Sequence, residues 1–290
     1  MKKFKTLTVL ALALLVLSCG TKQNEMTLNV MSFNIRYDNP RDSLNNWQYR
    51  KDFAANLILF HDVDILGTQE VMHNQLEDLK TSMPQYSHIG VGRLDGATQG
   101  EYSAILYKTD KFELVKSGTF WLAEDINAVG VKGWDAACER VVTWAVFKDK
   151  GSKHEFCVLN THFDHIGEVA RSESAKIVVA KAKELSGGLP VIVTGDFNAE
   201  PSSGVIKTIC DKTNPDHLLD TRELATLVYG PEGSFHDFGR IDYDDRPLID
   251  YIFVKGQGIK VSRLAVLSEM HNATYMSDHF PVLATIKLGN

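Results

Sequence analysis

Side chains that can bind metal ions or move protons stand at the ends of the apolar runs of this chain. The segment TYMSDHFPVLATI, residues 274–286, places a carboxylate and an imidazole, Asp278 and His279, directly before a β-branched run. Carboxylates are hard oxygen ligands for Mg²⁺, and imidazoles exchange protons near neutral pH. Polar residues of similar types end or begin the other runs: Asn34, Gln69, Glu70, Asn160, His162, Asp164, Asp196, Asn198 and Asp250. Residues at strand ends can converge at one rim of a compact stack of sheets.

Apolar runs beside turn residues predict the strands that must position these side chains. Many runs are apolar throughout, which favours strands buried on both faces and therefore two sheets packed together. Helical stretches fit between the strands, at about 47–60, 72–81, 168–186 and 202–210. The third has Ile177, Val178 and Leu185 on one stripe and charges opposite, as expected for a helix outside the sheets. The predicted strands cover 27–35, 64–70, 101–107, 141–147, 155–163, 189–197, 248–254 and 279–288. No composition break follows residue 26, so we expect one α+β domain over 27–290.

The N-terminus has the pattern of an export signal. Three lysines precede an apolar run over 7–17, which is too short to cross a bilayer as a helix. The residues LSCG that follow resemble a bacterial lipobox, in which the cysteine, here Cys19, carries the lipid. We therefore expect a lipoprotein signal peptide over 1–18, a polar tether over 19–26 and an exported protein held at the cell envelope. The alternative is ordinary cleavage near Ser18.

Composition indicates an ordinary globular protein with an acidic balance. The chain is 44% hydrophobic and 23% charged. Without the three lysines of the leader, 28 of the 31 basic residues remain against 37 acidic ones, a formal balance of −9. That balance gives no bulk attraction to nucleic acid, although it leaves room for a local basic groove. The cysteines after Cys19 are too few and too scattered for a disulfide framework or a zinc knuckle. We expect them to be buried thiols, or at most one bridge: Cys138, Cys157 and Cys210.

Six segments resemble, in this order, the successive motifs of the endonuclease/exonuclease/phosphatase superfamily, in its deadenylase-like bacterial branch. They read MSFNIRYDN, DILGTQEV, NTHFDH, VTGDFNAEP, IDYIFV and SDHFPV, and they span nearly the whole of 27–290. The resemblance implies an α+β fold, a four-layer α/β/β/α sandwich of two packed mixed sheets flanked by helices. It also implies a metal-dependent hydrolase of phosphoester bonds, with Mg²⁺ or Mn²⁺ as its cofactor.

The resemblance also implies roles for individual residues. A phosphoester anion resists attack by water, so its hydrolysis requires a divalent cation, a base for the water and donors for the phosphate oxygens. Glu70 would be the principal metal ligand, with Asn34 beside it and Asp278 helping through the same cluster. Asp196 would orient or deprotonate the attacking water. Asn198, two residues further on, would hold the phosphate or that water.

The two imidazoles of the motifs complete the implied site. His279 can donate to a phosphate oxygen if a carboxylate fixes its other nitrogen, and the family pattern assigns that partner to Asp250. Asp278 would then point towards the metal, so that the adjacent pair serves two tasks. His162, in NTHFDH, would donate to the phosphate or to the leaving group.

Some positions depart from the family pattern or match it less firmly. Members of this branch usually carry Arg two residues before the Asp of IDYI, where this chain has Leu248 and the nearest arginine is Arg246. One phosphate contact is therefore displaced or absent. Arg140, in WDAACERVVTWAVF, is either a contact to the substrate phosphate or a partner in a structural salt bridge. Four further residues match positions at the rim and are candidate substrate contacts: Tyr102, Arg36, His165 and Arg171.

The motifs do not decide the substrate. Aromatic residues in 118–125, at Trp134 and in 233–239 could stack on a base or a sugar, or could simply pack. We favour a nuclease-like phosphodiesterase or a phosphomonoesterase that acts outside the cytoplasm on nucleic-acid fragments or small phosphoesters. We expect a monomer, attached to the membrane through its N-terminal lipid. The alternatives are a sphingomyelinase-like or inositol-phosphate phosphatase-like enzyme, and a non-catalytic binding lipoprotein.

Overall fold

The computed structural model describes residues 26–289, so the predicted signal peptide, Cys19 and most of the tether lie outside the described residues. The strands are β1 Met26–Asn34, β2 Ile65–Gln69, β3 Tyr86–Ile89, β4 Ile105–Lys108, β5 Phe112–Trp121, β6 Val141–Asp149, β7 Glu155–His162, β8 Val191–Asp196, β9 Leu219–Asp220, β10 Ala225–Tyr229, β11 Asp250–Lys255, β12 Lys260–Val266, β13 Met270–His271, β14 Thr274–Tyr275 and β15 Val282–Leu288. The helices are α1 Trp47–Phe60, α2 His73–Ser82, α3 Glu168–Ser186, α4 Gly204–Ile209 and α5 Thr221–Leu224, with short 3₁₀ helices at Pro40–Asn45, Asp237–Gly239 and Tyr243–Asp245.

Two mixed sheets form the centre of the fold. The larger has the strand order β10-β12-β15-β1-β2-β4-β3, and the smaller has the order β5-β6-β7-β8-β11-β9. Parallel pairs, such as β1 with β2 and β7 with β8, stand beside antiparallel ones in both sheets. Each strand of the first pair is followed by a helix that returns along the outer face of its sheet, as parallel connections require.

The fold has four layers, with an apolar cluster packed between each layer and the next. The cluster between the sheets includes Val30, Phe147 and Ile252. A second cluster packs α3 and α4 on the smaller sheet, and a third packs α1 and α2 on the larger sheet. The predicted α/β/β/α sandwich is therefore confirmed. Because β2, β7 and β8 are buried on both faces along nearly their whole length, their sequences show no alternation of apolar and polar residues.

The four predicted helices are confirmed, with boundaries that differ by two residues or fewer. The strand predicted over 101–107 is shorter, because β4 begins only at Ile105, and Tyr102 forms an isolated bridge with Val71 instead. Besides the two-residue strands β9, β13 and β14, four strands were not predicted from apolar runs: β3, β5, β10 and β12. Their burial alternates or they lie mostly exposed, so they present no continuous apolar run.

The two sheets approach each other most closely beneath the rim that carries the polar residues. A Cβ at Gly67 of β2 would lie 2.0 Å from Oγ1 of Thr194 in β8, so only glycine fits this contact. Asn160 of β7 reaches across the gap and donates to the carbonyl oxygens of Thr68 and Ala104, at 2.8 and 2.9 Å. Gln69 in turn donates to Asn160 Oδ1 at 2.7 Å. Two of the polar residues at strand ends therefore tie the sheets together.

None of the helices within residues 26–289 combines the length and the apolar character needed to cross a bilayer.

Candidate active site

Strand order brings the polar residues of the motifs to one rim. Asn34 ends β1 opposite Gln69 at the end of the parallel β2, which places Glu70 directly beyond the same rim. His162 ends β7 opposite Asp196 at the end of β8. Asp250 pairs with Asp196 because β11 runs antiparallel and begins at this rim. The sheets thus assemble residues that are distant in the sequence, since Asn34 and Asp250 lie 250 − 34 = 216 positions apart.

A cavity of about 770 Å³ opens at this rim. Six of the eight residues with predicted catalytic or metal-binding roles line it: Glu70, His162, Asp196, Asn198, Asp278 and His279. The other two contact lining residues, Asn34 through Asp196 and Asp250 through His279. The lining consists of Arg36, Tyr37, Glu70, Arg93, Glu101, Cys138, Arg140, His162, His165, Asp196, Asn198, Glu200, Phe235, Asp237, Pro247, Ile249, Asp278 and His279.

Glu70, Asn34 and Asp278 form the group that fits a divalent cation. Asn34 Nδ2 donates to Glu70 Oε1 at 3.1 Å, and one arginine, Arg36, places Nη1 3.5 Å from Asp278 Oδ2 and 3.9 Å from Glu70 Oε2. Burial, reinforced by the negative charge of Glu70, raises the pKa of Asp278. Two crowded carboxylates with an amide oxygen are the hard donors that Mg²⁺ and Mn²⁺ prefer. The residues present therefore fit the predicted metal.

A second acidic cluster fits a cation less well. Ligand atoms of Asp196, Asp250 and His279 all lie within 4.8 Å of one another. His279 Nδ1, however, lies 2.8 Å from Asp250 Oδ2. Although burial opposes it, the charge of Asp250 and this hydrogen bond raise the pKa of His279 to about 10. A protonated imidazole repels a metal ion and attracts a phosphate oxygen, as the resemblance implies for this residue.

Asp250 is held in place for this pairing. It is buried, and Ser234 Oγ donates to the same Oδ2 atom at 2.6 Å. The pair was implied by the family pattern, whereas Ser234 was missed by the sequence analysis. Its only signal was its place in the segment GSFHDFG, which attracted attention for its aromatic residues.

Asp196 lies between the two groups and has the environment of a general base. Its Oδ2 accepts from Asn34 Nδ2 at 3.0 Å, and its Oδ1 accepts from the backbone amide of Asn198 at 2.9 Å. Burial and the charge of Asp250 raise the pKa of Asp196 to about 7. A carboxyl group that titrates near neutral pH can take a proton from water and release it again.

His162 and Asn198 adjoin Asp196 on its other side. His162 Nε2 lies 3.4 Å from Asp196 Oδ2 and 3.1 Å from Asn198 Nδ2, which also donates to the carbonyl of Phe163 at 3.0 Å. Burial and the charge of Arg140 lower the pKa of His162 well below its usual value. The imidazole is therefore neutral, and it can donate one hydrogen bond to a phosphate without carrying charge.

The structure brings three of the five candidate substrate contacts to the cavity. Arg36, Arg140 and His165 line it. Tyr102 does not, because its buried hydroxyl donates to the carbonyl of Ala97 at 3.0 Å. Arg171 does not either, because its Nη1 donates to the carbonyl of Asp164 at 3.0 Å.

Arg140 makes the structural salt bridge that was one of its two predicted roles. Its Nε donates to Asp164 Oδ2 at 3.2 Å, and its Nη2 lies 2.9 Å from His165 Nδ1. Because it also lines the cavity, contact with a substrate phosphate stays a prediction. The same guanidinium argues against a metal among Cys138, Asp164 and His165, whose ligand atoms lie within 4.8 Å of one another. It already supplies the positive charge there.

Arg246 does not replace the arginine that the family carries at the position of Leu248. Its guanidinium lies over the rings of Tyr243 and Phe280, at 5.5 and 5.6 Å. Its Nε donates to the carbonyl of Ile241 at 3.1 Å, and it does not line the cavity.

Nine lining residues are not among the site residues predicted from the sequence. They lie between the strands and α-helices, where no periodic pattern marks them: Tyr37, Arg93, Glu101, Cys138, Glu200, Phe235, Asp237, Pro247 and Ile249. The aromatic residues predicted as possible stacking partners are placed differently. Phe235, within 233–239, lines the cavity, whereas Trp134 and the residues of 118–125 do not.

Comparison with known proteins agrees with this geometry. A family model described as the Endonuclease/Exonuclease/phosphatase family matches residues 26–279. The crystal structure of an endonuclease/exonuclease/phosphatase from Bacteroides vulgatus is 48% identical, with a TM-score of 0.87, and the match covers 91% of this chain and 100% of that one. The solved structure of a mannosyl-6-phosphatase from Bacteroides thetaiotaomicron VPI-5482 is 41% identical, with a TM-score of 0.83, covering 89% of this chain and 99% of that one.

A curated eukaryotic sequence is more distant. Nocturnin of Drosophila melanogaster is 28% identical over 286 residues, which cover 86% of this chain. The chain spans only 43% of the length of that relative.

Proposed function

Because the chain belongs to the endonuclease/exonuclease/phosphatase family, whose members are metal-dependent hydrolases of phosphoesters, we propose that it is a Mg²⁺-dependent phosphatase of small phosphomonoesters. Membership confirms the relationship that the motifs predicted. The observation that carries the proposal is the position of Asp196 between the Glu70 group and the His279–Asp250 pair, at the bottom of one cavity. The similarity to a mannosyl-6-phosphatase supports a phosphomonoester as substrate.

The residues divide the reaction among them. Glu70, Asp278 and Asn34 would hold the divalent cation, which neutralises phosphate charge and acidifies bound water. Asp196 takes the proton of the attacking water, since its carboxyl titrates near neutral pH. His279, kept protonated by Asp250, donates to a phosphate oxygen and stabilises the charge that develops on it.

Neutral donors complete the phosphate site. The Asn198 amide and the His162 imidazole adjoin Asp196, where they can donate to the remaining phosphate oxygens. Because neither group carries charge, they orient the phosphate without competing with the cation for it.

A nuclease-like phosphodiesterase acting on nucleic-acid fragments is the second candidate. The family description, which includes endonucleases and exonucleases, supports a role of this kind. The formal net charge of −6 for the chain disfavours a long polynucleotide as substrate, because polynucleotide binding depends on neutralising many phosphates.

An assay of the purified protein against a substrate panel should distinguish these candidates. The panel contains mannose 6-phosphate, ethyl phosphate, bis-para-nitrophenyl phosphate, short DNA and RNA, sphingomyelin and an inositol phosphate, each with Mg²⁺ and with chelator. We expect chelator-sensitive release of inorganic phosphate, with kcat/KM for the phosphomonoesters about ten-fold or more above that for any diester. Faster cleavage of oligonucleotides would select the nuclease. Turnover that persists with chelator would contradict a metal-dependent enzyme.

We further propose that the protein is exported, acts outside the cytoplasm as a monomer and is anchored by lipid on Cys19. The proposal rests on the LSCG sequence after the apolar run. In a bacterial host grown with labelled palmitate, the wild-type chain should carry label and partition with membranes. Cys19→Ser should lose the label and appear in the soluble fraction. Membrane association that survives this substitution would indicate a different attachment.

A further inference from the structure

Two sets of side chains line the cavity on either side of the catalytic centre. One end, here called the arginine end, contains Arg93, Arg140 and His165, together with Glu101, which pairs with Arg93. The other, here called the acidic end, contains Glu200, Phe235 and Asp237. The catalytic centre lies between them.

Strand order is the physical reason for this division. In the smaller sheet, Arg140 directly precedes β6, Glu200 follows β8 and Ile249 directly precedes β11. The strands β6 and β11 are three places apart, at about 4.8 Å per place, which separates the two ends by roughly 14 Å. The larger sheet contributes Arg93 to the same end, because Arg93 lies on the segment between β3 and β4. Strand β4 faces β6 through the rings of Tyr107 and Phe147, whose centroids are 4.8 Å apart.

The arginine end has unused capacity to donate hydrogen bonds. Arg93 Nη2 donates to Glu101 Oε1 at 2.7 Å, and Arg140 is held by Asp164. Within the described residues, Arg93 Nε and Arg140 Nη1 are buried and have no hydrogen-bond partner. Buried donors without partners are costly and uncommon, and arginine matches the oxygens of a phosphate. A bound phosphate would supply the missing acceptors.

The acidic end presents acceptors and a ring. Phe235 forms a backbone bridge with His279, and the centroids of the two rings are 4.8 Å apart, so the ring adjoins the catalytic imidazole. Asp237 Oδ1 accepts from the exposed Arg240 at 3.0 Å.

We propose that the alcohol part of the substrate is an uncharged polyol, such as a sugar ring, and that it lies against Glu200, Phe235 and Asp237 while its single phosphate faces the arginine end. This inference rests on the proposed function. Carboxylates accept hydrogen bonds from hydroxyl groups, and the apolar face of a sugar packs on an aromatic ring. A second phosphate at this end would meet like charges, which would select against bisphosphates and polynucleotides.

The test compares three substrates that share the reacting phosphate: mannose 6-phosphate, ethyl phosphate and mannose 1,6-bisphosphate. For the wild-type protein, we expect kcat/KM for mannose 6-phosphate to exceed that for the bisphosphate by about ten-fold. In Glu200→Ala and Asp237→Ala, the ratio of kcat/KM for mannose 6-phosphate to that for ethyl phosphate should fall about ten-fold. Mannose 6-phosphate loses hydrogen bonds from its hydroxyl groups to these carboxylates, whereas ethyl phosphate has no hydroxyl group that could form them. Glu200→Lys should shift preference towards the bisphosphate. Glu113→Ala, an exposed residue of the edge strand β5, is the matched control and should leave all ratios unchanged.

Each contrary result has a distinct meaning. Equal losses on mannose 6-phosphate and ethyl phosphate would show that the acidic end supports the catalytic centre and does not bind the alcohol, which overturns the inference. A wild-type preference for the bisphosphate would also overturn it, while leaving the phosphatase intact. Failure to hydrolyse even ethyl phosphate in the presence of Mg²⁺ would overturn the proposed function and this inference with it.

Discussion

Replacing Asp196 with Asn should lower kcat by about 10³-fold, within the range of 10²–10⁴ typical for loss of a general base. The carboxylate stands between Asn34 and the His279–Asp250 pair, and its pKa of about 7 suits proton transfer from water. Asparagine has the same shape but cannot take a proton. Steady-state kinetics on the best substrate of the panel measure the loss, and KM should change little.

The stability of this variant separates catalysis from folding. Asp196 is buried beside Asp250, so removing its charge relieves repulsion and desolvation, and the melting temperature should stay the same or rise. Asp52→Asn, on the exposed face of α1, is the control for handling and should retain full activity. A D196N protein that melts far below the wild type would identify Asp196 as a structural residue instead.

Replacing Glu70 with Gln should weaken Mg²⁺ binding by more than about 100-fold, since even the outer partners of metal ligands typically contribute 10–100-fold. Glu70 is one of two carboxylates that crowd around Arg36 and Asn34 at the rim. An amide of the same shape retains one oxygen but loses the charge that holds the cation. Calorimetric titration with Mn²⁺ measures the affinity directly, without requiring a substrate.

Thermal melting gives a second measurement of the same site. A ligand present at 100 times its Kd stabilises the folded state by about 2.7 kcal/mol, so Mg²⁺ should raise the melting temperature of the wild type and leave that of Glu70→Gln unchanged. Glu77→Gln, an exposed residue of α2, should behave as the wild type does. Undiminished Mn²⁺ affinity in Glu70→Gln would place the cation elsewhere, with the cluster of Asp196, Asp250 and His279 as the next candidate.

Much of the fold was predictable from local patterns. Helix α3 was predicted from its apolar stripe, because the buried residues of a helix recur every three or four positions. Central strands such as β8 follow from runs that are apolar throughout. Half-exposed strands were missed because they contain no continuous apolar run. In β5, FELVKSGTFW, exposed Glu113 and Lys116 interrupt the apolar pattern, and its pairing with β6 depends on residues about thirty positions away.

The amino-acid sequence alone specifies which chemical groups this protein has and the order of the motifs that carry them. Glu70, Asp196 and His279 were predicted as site residues from their motifs because short segments such as GDFNAEP and SDHFPV carry that information locally. Their environment, in contrast, depends on the tertiary structure. Asn34 donates to Asp196 across 162 positions, and the burial of His279 against Asp250 sets its charge. Hydrogen bonding and desolvation depend on the neighbours in space, which residue types and spacing do not specify.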